Sequence, residues 1–176
     1  MESRVSYDDL QARNDDTRWE LIDGVAYAMS SPALRHQTIL RELMIALQAH
    51  FRKGPCKVVP APFDVKLSNH DVVQPDLIVS CGDRLGEAFH DGPPDLVIEI
   101  LSPSSLRHDR IRKLGLYAKY GVPEYWLVTP EPFMIEILSF QGSSFVVHSA
   151  YSEDDCLLSP RFPDLRVDLA ELVARL

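Results

Sequence analysis

The chain has 176 residues, 45% of them hydrophobic and 25% charged, which is enough apolar material for a core and too much for a disordered chain. No apolar run approaches the roughly 20 residues of a membrane span, and the opening MESRVSYDDL has no apolar signal core, so a cytoplasmic location is expected. The balance of 18 Lys and Arg against 26 Asp and Glu, −8, opposes non-specific coating of nucleic acid but leaves room for a local basic site.

Residues 1–18 are polar and read as a short helix or arm. WELIDGVAYAM, residues 19–29, reads as two short strands around Asp23-Gly24, a favoured hairpin turn. Ser31-Pro32 fits a helix start, and Ala33 to Phe51 carry helical spacing, with Leu40, Leu43, Leu47 and Phe51 on one face beside Ile39 and Ala46. Gly54-Pro55 ends that helix. Lys57–Val59, Phe63–Leu67 and Leu77–Ser80 are strand candidates, and Gly82–Pro94 reads as loop. Leu96–Leu101 is a strong strand. Asp109–Tyr120 reads as a helix closed by Gly121, with Pro123 soon after. Glu124–Val128, Met134–Phe140 and Ser144–His148 are further strands, and Asp168 is placed to cap a last helix, Leu169–Arg175. The order predicts one α/β (α+β) domain over residues 1–176, built around one sheet. Cys56, Cys81 and Cys156 form no CxxC pair, which argues against a disulfide framework and against a Cys-rich zinc site.

The chemistry concentrates in three places. Leu96-Val97-Ile98-Glu99-Ile100-Leu101 reads as a central strand with one carboxylate in it. Alternation puts Asp95, Val97, Glu99 and Leu101 on one face. An ionised Glu there costs several kcal/mol unless it is paired or binds a metal. It can also sit at an exposed strand end, or pair with a cation. Asp76 precedes Leu77-Ile78-Val79. Pro-Asp-Leu occurs three times, at Asp76, Asp95 and Asp164, and turn chemistry alone explains such a word. Asp76 stands apart because it lies one strand upstream of Glu99, where the two side chains can meet. Paired carboxylates, with water and substrate phosphate, are the usual ligands of Mg²⁺. Third, Ser104 to Pro123 holds five Lys or Arg and one acid, +4 within a chain of −8. This is either a solvated helix face or, with Arg107, Arg110 and Arg112, a guide for a nucleic-acid backbone. A lysine beside a metal-binding acid pair suits phosphodiester cleavage, and Lys113 is the candidate.

Taken together, Trp19-Glu20-Leu21-Ile22-Asp23-Gly24, Met29, Ser31-Pro32, His36-Gln37, Val73-Gln74-Pro75-Asp76-Leu77, PDLVIEILSPSS from Pro94 to Ser105, then Asp109, Lys113, Tyr117 and GVPEYW from Gly121 to Trp126, resemble the Uma family, a restriction-endonuclease-like group of the PD-(D/E)XK nuclease superfamily. The resemblance spans about Trp19 to Pro130. It implies a restriction-endonuclease-like fold, a central mixed β-sheet flanked by helices, and a Mg²⁺ or Mn²⁺ site on Asp76 and Glu99. The superfamily's usual lysine lies two residues after the second acid, where this chain has Leu101. The family's pattern moves it into the following helix, onto Lys113. Glu20 either completes the acid cluster or is an exposed hairpin residue. His36 and Tyr117 are candidates for supporting positions, with packing as the alternative for each. Members commonly carry Asp before the proline that follows GVPEYW, and this chain has Thr129-Pro130.

Three functions fit these residues. The first is a divalent-metal-dependent endonuclease acting on nucleic acid, DNA before RNA, as a homodimer that cuts both strands. The second is a nucleic-acid- or protein-binding module with the fold but no turnover. The third is a metal-dependent hydrolase of a small phosphate ester. No nucleophile elbow, P-loop or dinucleotide fingerprint offers another chemistry.

Overall fold

Asp23 and Gly24 both take positive φ, 52° and 76°, the geometry of a tight two-residue hairpin turn, and they join β1 (Trp19–Ile22) to β2 (Val25–Ala28). The turn is as predicted. In the computed structural model, which describes residues 4–13, 15–103 and 108–176, this hairpin opens a sheet of its own. A short helix, α1 (Tyr7–Gln11), precedes it, started by Ser6 and Asp9 in a reciprocal capping box.

Two large sheets form, where the sequence suggested one. The first has five strands in the order β2-β1-β5-β4-β7, with β4 at Asp64–Ser68, β5 at Asp71–Val73 and β7 at Phe89–Asp91. The second has six strands, β11-β10-β9-β8-β6-β3, with β3 at Lys57–Pro60, β6 at Leu77–Ser80, β8 at Leu96–Ile100, β9 at Glu124–Pro130, β10 at Phe133–Gln141 and β11 at Ser144–Ser152. Three-residue strands escaped the sequence reading because alternation needs more length to show. They include β5, β7 inside the expected loop Gly82–Pro94, and the ribbon β12 (Cys156–Leu158) with β13 (Arg166–Asp168).

The six-stranded sheet is mixed and central. β8 pairs antiparallel with β6 and parallel with β9, so both of its edges are covered, and all five of its residues are buried. One face packs under α2 (Leu34–Phe51), whose Ile39, Leu40, Leu43, Leu47 and Phe51 meet Leu96, Ile98, Ile100 and Trp126. Each such side chain contributes about 1.5–3 kcal/mol when fully buried. The other face presents Val97 and Leu101 to Val65, Val73 and Tyr117, in the layer between the two sheets. Glu99 shares that second face, as alternation required.

The predicted helix Asp109–Tyr120 divides. His108–Lys113 is wound as a π-helix, and α3 (Leu114–Lys119) continues it before Gly121, at φ +67°, closes the end. α4 (Leu169–Val173) starts at Asp168, whose side chain accepts from the Glu171 N–H.

The cysteine reading is corrected. Cys56 and Cys81 are disulfide-bonded, and Cys156 is free and exposed. The pairing of Lys57 with Ser80 puts Cys56 opposite Cys81 across β3 and β6, a proximity that spacing in sequence cannot show.

Candidate active site

β6 and β8 run antiparallel with Leu77 opposite Ile98, so Asp76 stands opposite Glu99. Both side chains line a cleft of about 840 Å³ that also takes in Glu20 from β1, His36 from α2, and His108, Asp109, Arg112 and Lys113 from the π-helical segment. Five elements, with β6 represented by Asp76 just before it, and both sheets meet there.

Asp76 is held on one oxygen. Its Oδ2 accepts from the Ile100 N–H at 2.8 Å and from His36 Nε2 at 3.0 Å. Glu99 is 3% exposed, and its Oε1 accepts from Lys113 Nζ at 2.9 Å and from the Tyr117 hydroxyl at 2.8 Å. Lys113, also buried, reaches Glu20 Oε1 at 2.9 Å and Asp109 Oδ1 at 3.6 Å. Glu20 is buried rather than an exposed hairpin residue, and it accepts from the Gln74 N–H at 2.8 Å and from His108 Nε2 at 3.2 Å.

The electrostatics follow from one ammonium against three carboxylates, Glu20, Glu99 and Asp109, with the Asp76 charge near Glu99. Burial pushes Glu99 well above the usual carboxylate range; Lys113 opposes this, and Asp109, Asp76 and Glu20 add to it. Burial would raise Glu20 too, but Lys113, His108 and the Gln74 N–H hold it at about 2. Burial disfavours charge on Lys113, yet Glu20, Glu99 and Asp109 keep it well above its ordinary value, so it is an ammonium. Burial, then the Glu99 charge, raises Tyr117, which remains a phenol and a hydrogen-bond donor.

Among the described residues no three His, Cys, Asp or Glu side chains form a ready cation cage. The donor set nevertheless suits a hard divalent cation. Among the described residues Asp76 and Glu99 each take their hydrogen bonds on one oxygen, acids outnumber the lysine, and Mg²⁺ ordinarily keeps several waters beside one or two carboxylates.

Asp76, Glu99, Lys113, Glu20, His36 and Tyr117 are therefore brought together. The basic residues of the same segment are not. Arg110 is ion-paired with Glu136 on β10 and is not among the cleft-lining residues. Arg112 lines the cleft, with its guanidinium 4.8 Å from the Tyr27 ring centre and Nη1 3.4 Å from His108 Nδ1. Arg107 lies outside the described residues. The three Pro-Asp-Leu words separate cleanly. Only Asp76 faces the cleft, Asp95 ties the Cys81 N–H to Arg161, and Asp164 is exposed. Thr129 sits in β9 opposite Met134, and the neighbouring Pro130 lines the cleft. The sequence reading missed Asp109 and His108 as members of the cluster. Asp109 had a signal, an acid four residues before the lysine on a helical segment.

Residues 5–170 match the family model Uma2, described as "Putative restriction endonuclease". The chain belongs to the Uma2 family. An uncharacterized protein of Synechocystis sp. is 31% identical over 122 residues, which is 67% of this chain and 64% of that relative's length, just under two thirds. A crystal structure titled as a putative nuclease from Anabaena variabilis superposes with a TM-score of 0.78 at 19% identity, covering 97% of this chain and 98% of that one. This Uma2 chain thus has the mixed α+β, nuclease-like fold that its motifs implied.

Proposed function

We propose that this Uma2 protein is a Mg²⁺- or Mn²⁺-dependent endonuclease that hydrolyses phosphodiester bonds of DNA. The observation that carries the reading is the placement of Asp76 opposite Glu99 on the wall of an open cleft, with the Lys113 ammonium against Glu99. Asp76 and Glu99 would hold the cation. Such a cation, when bound, acidifies a water and offsets charge on the scissile phosphate. One water adds across a P–O bond and leaves a phosphomonoester and a hydroxyl. His36 and the Ile100 N–H fix the Asp76 carboxylate in one orientation. Tyr117 and Lys113 do the same for Glu99, and Glu20 and Asp109 keep Lys113 charged. Lys113 carries the positive charge that favours extra negative charge on phosphorus in the transition state.

Duplex cleavage calls for two sites, and the reading extends to a homodimer. The support is β11, a nine-residue edge strand without Lys, Arg, Asp, Glu or Pro, the residues that usually discourage edge pairing. Light scattering at the concentration of the activity assay reads the mass directly.

The second reading, a silent binding module, draws on Leu101 at the superfamily's lysine position and on Lys113 being bound by acids. Supercoiled plasmid and a single-stranded oligonucleotide, incubated with Mg²⁺ and with Mn²⁺, separate the readings. Cleavage by the wild type, lost in Asp76→Ala and Glu99→Ala, supports the endonuclease. Binding without cleavage selects the silent module. Turnover of a chromogenic diester with no polymer cleavage selects a small-ester hydrolase.

A further inference from the structure

Among the described residues that line the cleft, Arg18 is the arginine whose Nη groups make no hydrogen bond, ion pair or ring contact, and it lies outside the basic segment. Arg18 precedes β1, and two contacts fix it, the second backed by a chain of further hydrogen bonds. Its carbonyl accepts from the Met29 N–H at 2.9 Å, which pins the backbone across the hairpin. Its Nε donates to Gln74 Oε1 at 2.8 Å. Gln74 Nε2 in turn donates to Asp64 Oδ1 at 2.8 Å, and Asp64 Oδ2 accepts from the Tyr7 hydroxyl at 3.1 Å. The amide of Gln74 is thereby set with its oxygen toward Arg18. Nε is the inner donor of the guanidinium fork. With it engaged, the two Nη groups project outward, and among the described residues neither makes a hydrogen bond or ion pair. The other cleft arginines are engaged at their tips. Arg35 faces Glu131 at 3.7 Å, and Arg112 is stacked on Tyr27.

Its place relative to the acid pair follows from the chain. Gln74 and Asp76 are two residues apart, about 6.6 Å in extended backbone. The Gln74 N–H also binds Glu20. The guanidinium is therefore carried beside the carboxylates rather than onto them. Arg18 and Gln74 further line a second hollow of about 220 Å³, whose wall includes Trp19 with the Arg13 guanidinium 4.4 Å from its ring centre. Arg18 thus stands on the ridge between the cleft and that hollow.

We infer that Arg18, oriented by the Tyr7–Asp64–Gln74 chain, binds the phosphate next to the scissile one, where the substrate strand passes from the cleft toward the Trp19 hollow. A planar fork with two free N–H ends matches a phosphate's oxygens, and a prearranged fork loses little freedom on binding. The inference rests on the endonuclease reading and deepens it. Arg18 is a substrate-binding residue here; Gln74 is a positioning residue that acts through it.

The test is binding of a fluorescein-labelled DNA oligonucleotide across a salt series, with Ca²⁺ in place of Mg²⁺, for wild type, Arg18→Met, Arg18→Lys and Gln74→Leu. Arg18→Met keeps an unbranched stem as far as the Nε position without charge, should weaken binding about tenfold, and should lower the slope of log K against log salt by about one. Arg18→Lys should restore the slope but only part of the affinity, since one ammonium cannot replace a fork held by Gln74. Gln74→Leu should keep the slope and lose a few-fold in affinity. Mn²⁺ affinity, read by calorimetry without DNA, should match wild type in all three. Equal DNA affinity and equal slope in wild type and Arg18→Met would overturn the inference and leave the endonuclease reading standing. A wild type that binds no DNA under any condition overturns both. If Arg18→Met unfolds, Arg18→Lys and Gln74→Leu decide: unchanged affinity in both rejects the assignment.

Discussion

Glu99 on β8 and Glu124 on β9 are buried carboxylates on neighbouring parallel strands, three residues apart in register, since Leu96 is the partner of Glu124. They face opposite sides of the sheet and have opposite surroundings. Glu124 is saturated: Trp126 Nε1, the Ser159 hydroxyl and the Arg161 N–H all donate to it, and it lines neither the cleft nor the Trp19 hollow. It ties the segment before β13 to the core. Glu99 has its donors on one oxygen, three other acids around it and a cleft beside it. A buried charge that is fully paired is a structural tie, while one left with competing charges beside open volume is a candidate for chemistry.

The largest effect should come from Glu99→Gln. Cleavage should fall on the order of 10³-fold or more, as expected when a metal-holding carboxylate is neutralised. Thermal stability should stay level or rise, because a repelled charge is removed. A fall in Tm with cleavage intact would reverse the assignment of roles.

Lys113→Met comes next. It strands Glu20, Glu99 and Asp109 without their ammonium, at a cost of about 3–5 kcal/mol in denaturant unfolding. Added Mn²⁺ should stabilise this variant more than wild type, since a cation then replaces the missing charge. No stabilisation of either protein by Mn²⁺ would show that the acids do not hold the metal.

Glu124→Gln should do the opposite of Glu99→Gln. It should lose about 2–3 kcal/mol, roughly 4–10 °C in Tm, with cleavage of the folded protein unchanged.

The smallest effect tests a third buried acid. Burial raises Asp71, but the Tyr120 hydroxyl, the Asp23 N–H and Lys119 outweigh it, so its carboxyl lies below the usual range. A depressed folded value gives stability that is present above the unfolded value, about 3.9, and is lost as pH falls through the folded one. The Tm advantage of wild type over Asp71→Asn should therefore be full at neutral pH and shrink below about pH 4. A gap that stays constant into acid would mean that charge is not what Asp71 contributes.

The comparison also shows what the residues alone could reveal. Glu99 was legible because a lone acid inside an apolar run breaks a pattern, and Asp76 because it lies one strand upstream. The long helix α2 and the Asp23-Gly24 hairpin were legible because periodicity and turn chemistry are local. The division into two sheets was not, because it depends on three-residue strands and on which strands pair. The Cys56–Cys81 bond hid for the same reason. The run Arg107, Arg110 and Arg112 drew attention as charge in sequence, yet Arg110 is ion-paired with Glu136, while the Nη groups of Arg18, a cleft-lining arginine outside that run, make no hydrogen bond or ion pair among the described residues. Composition reports where charge is dense; only packing reports where it is available.

The antiparallel pairing of β6 with β8 has one more consequence. Side chains alternate, so sliding either strand by one residue would turn Asp76 and Glu99 onto opposite faces of the sheet. The acid pair is therefore a gauge of alignment. A chain that zips these strands out of step has the same residues and no meeting of carboxylates, and on the endonuclease reading such a chain would be inert.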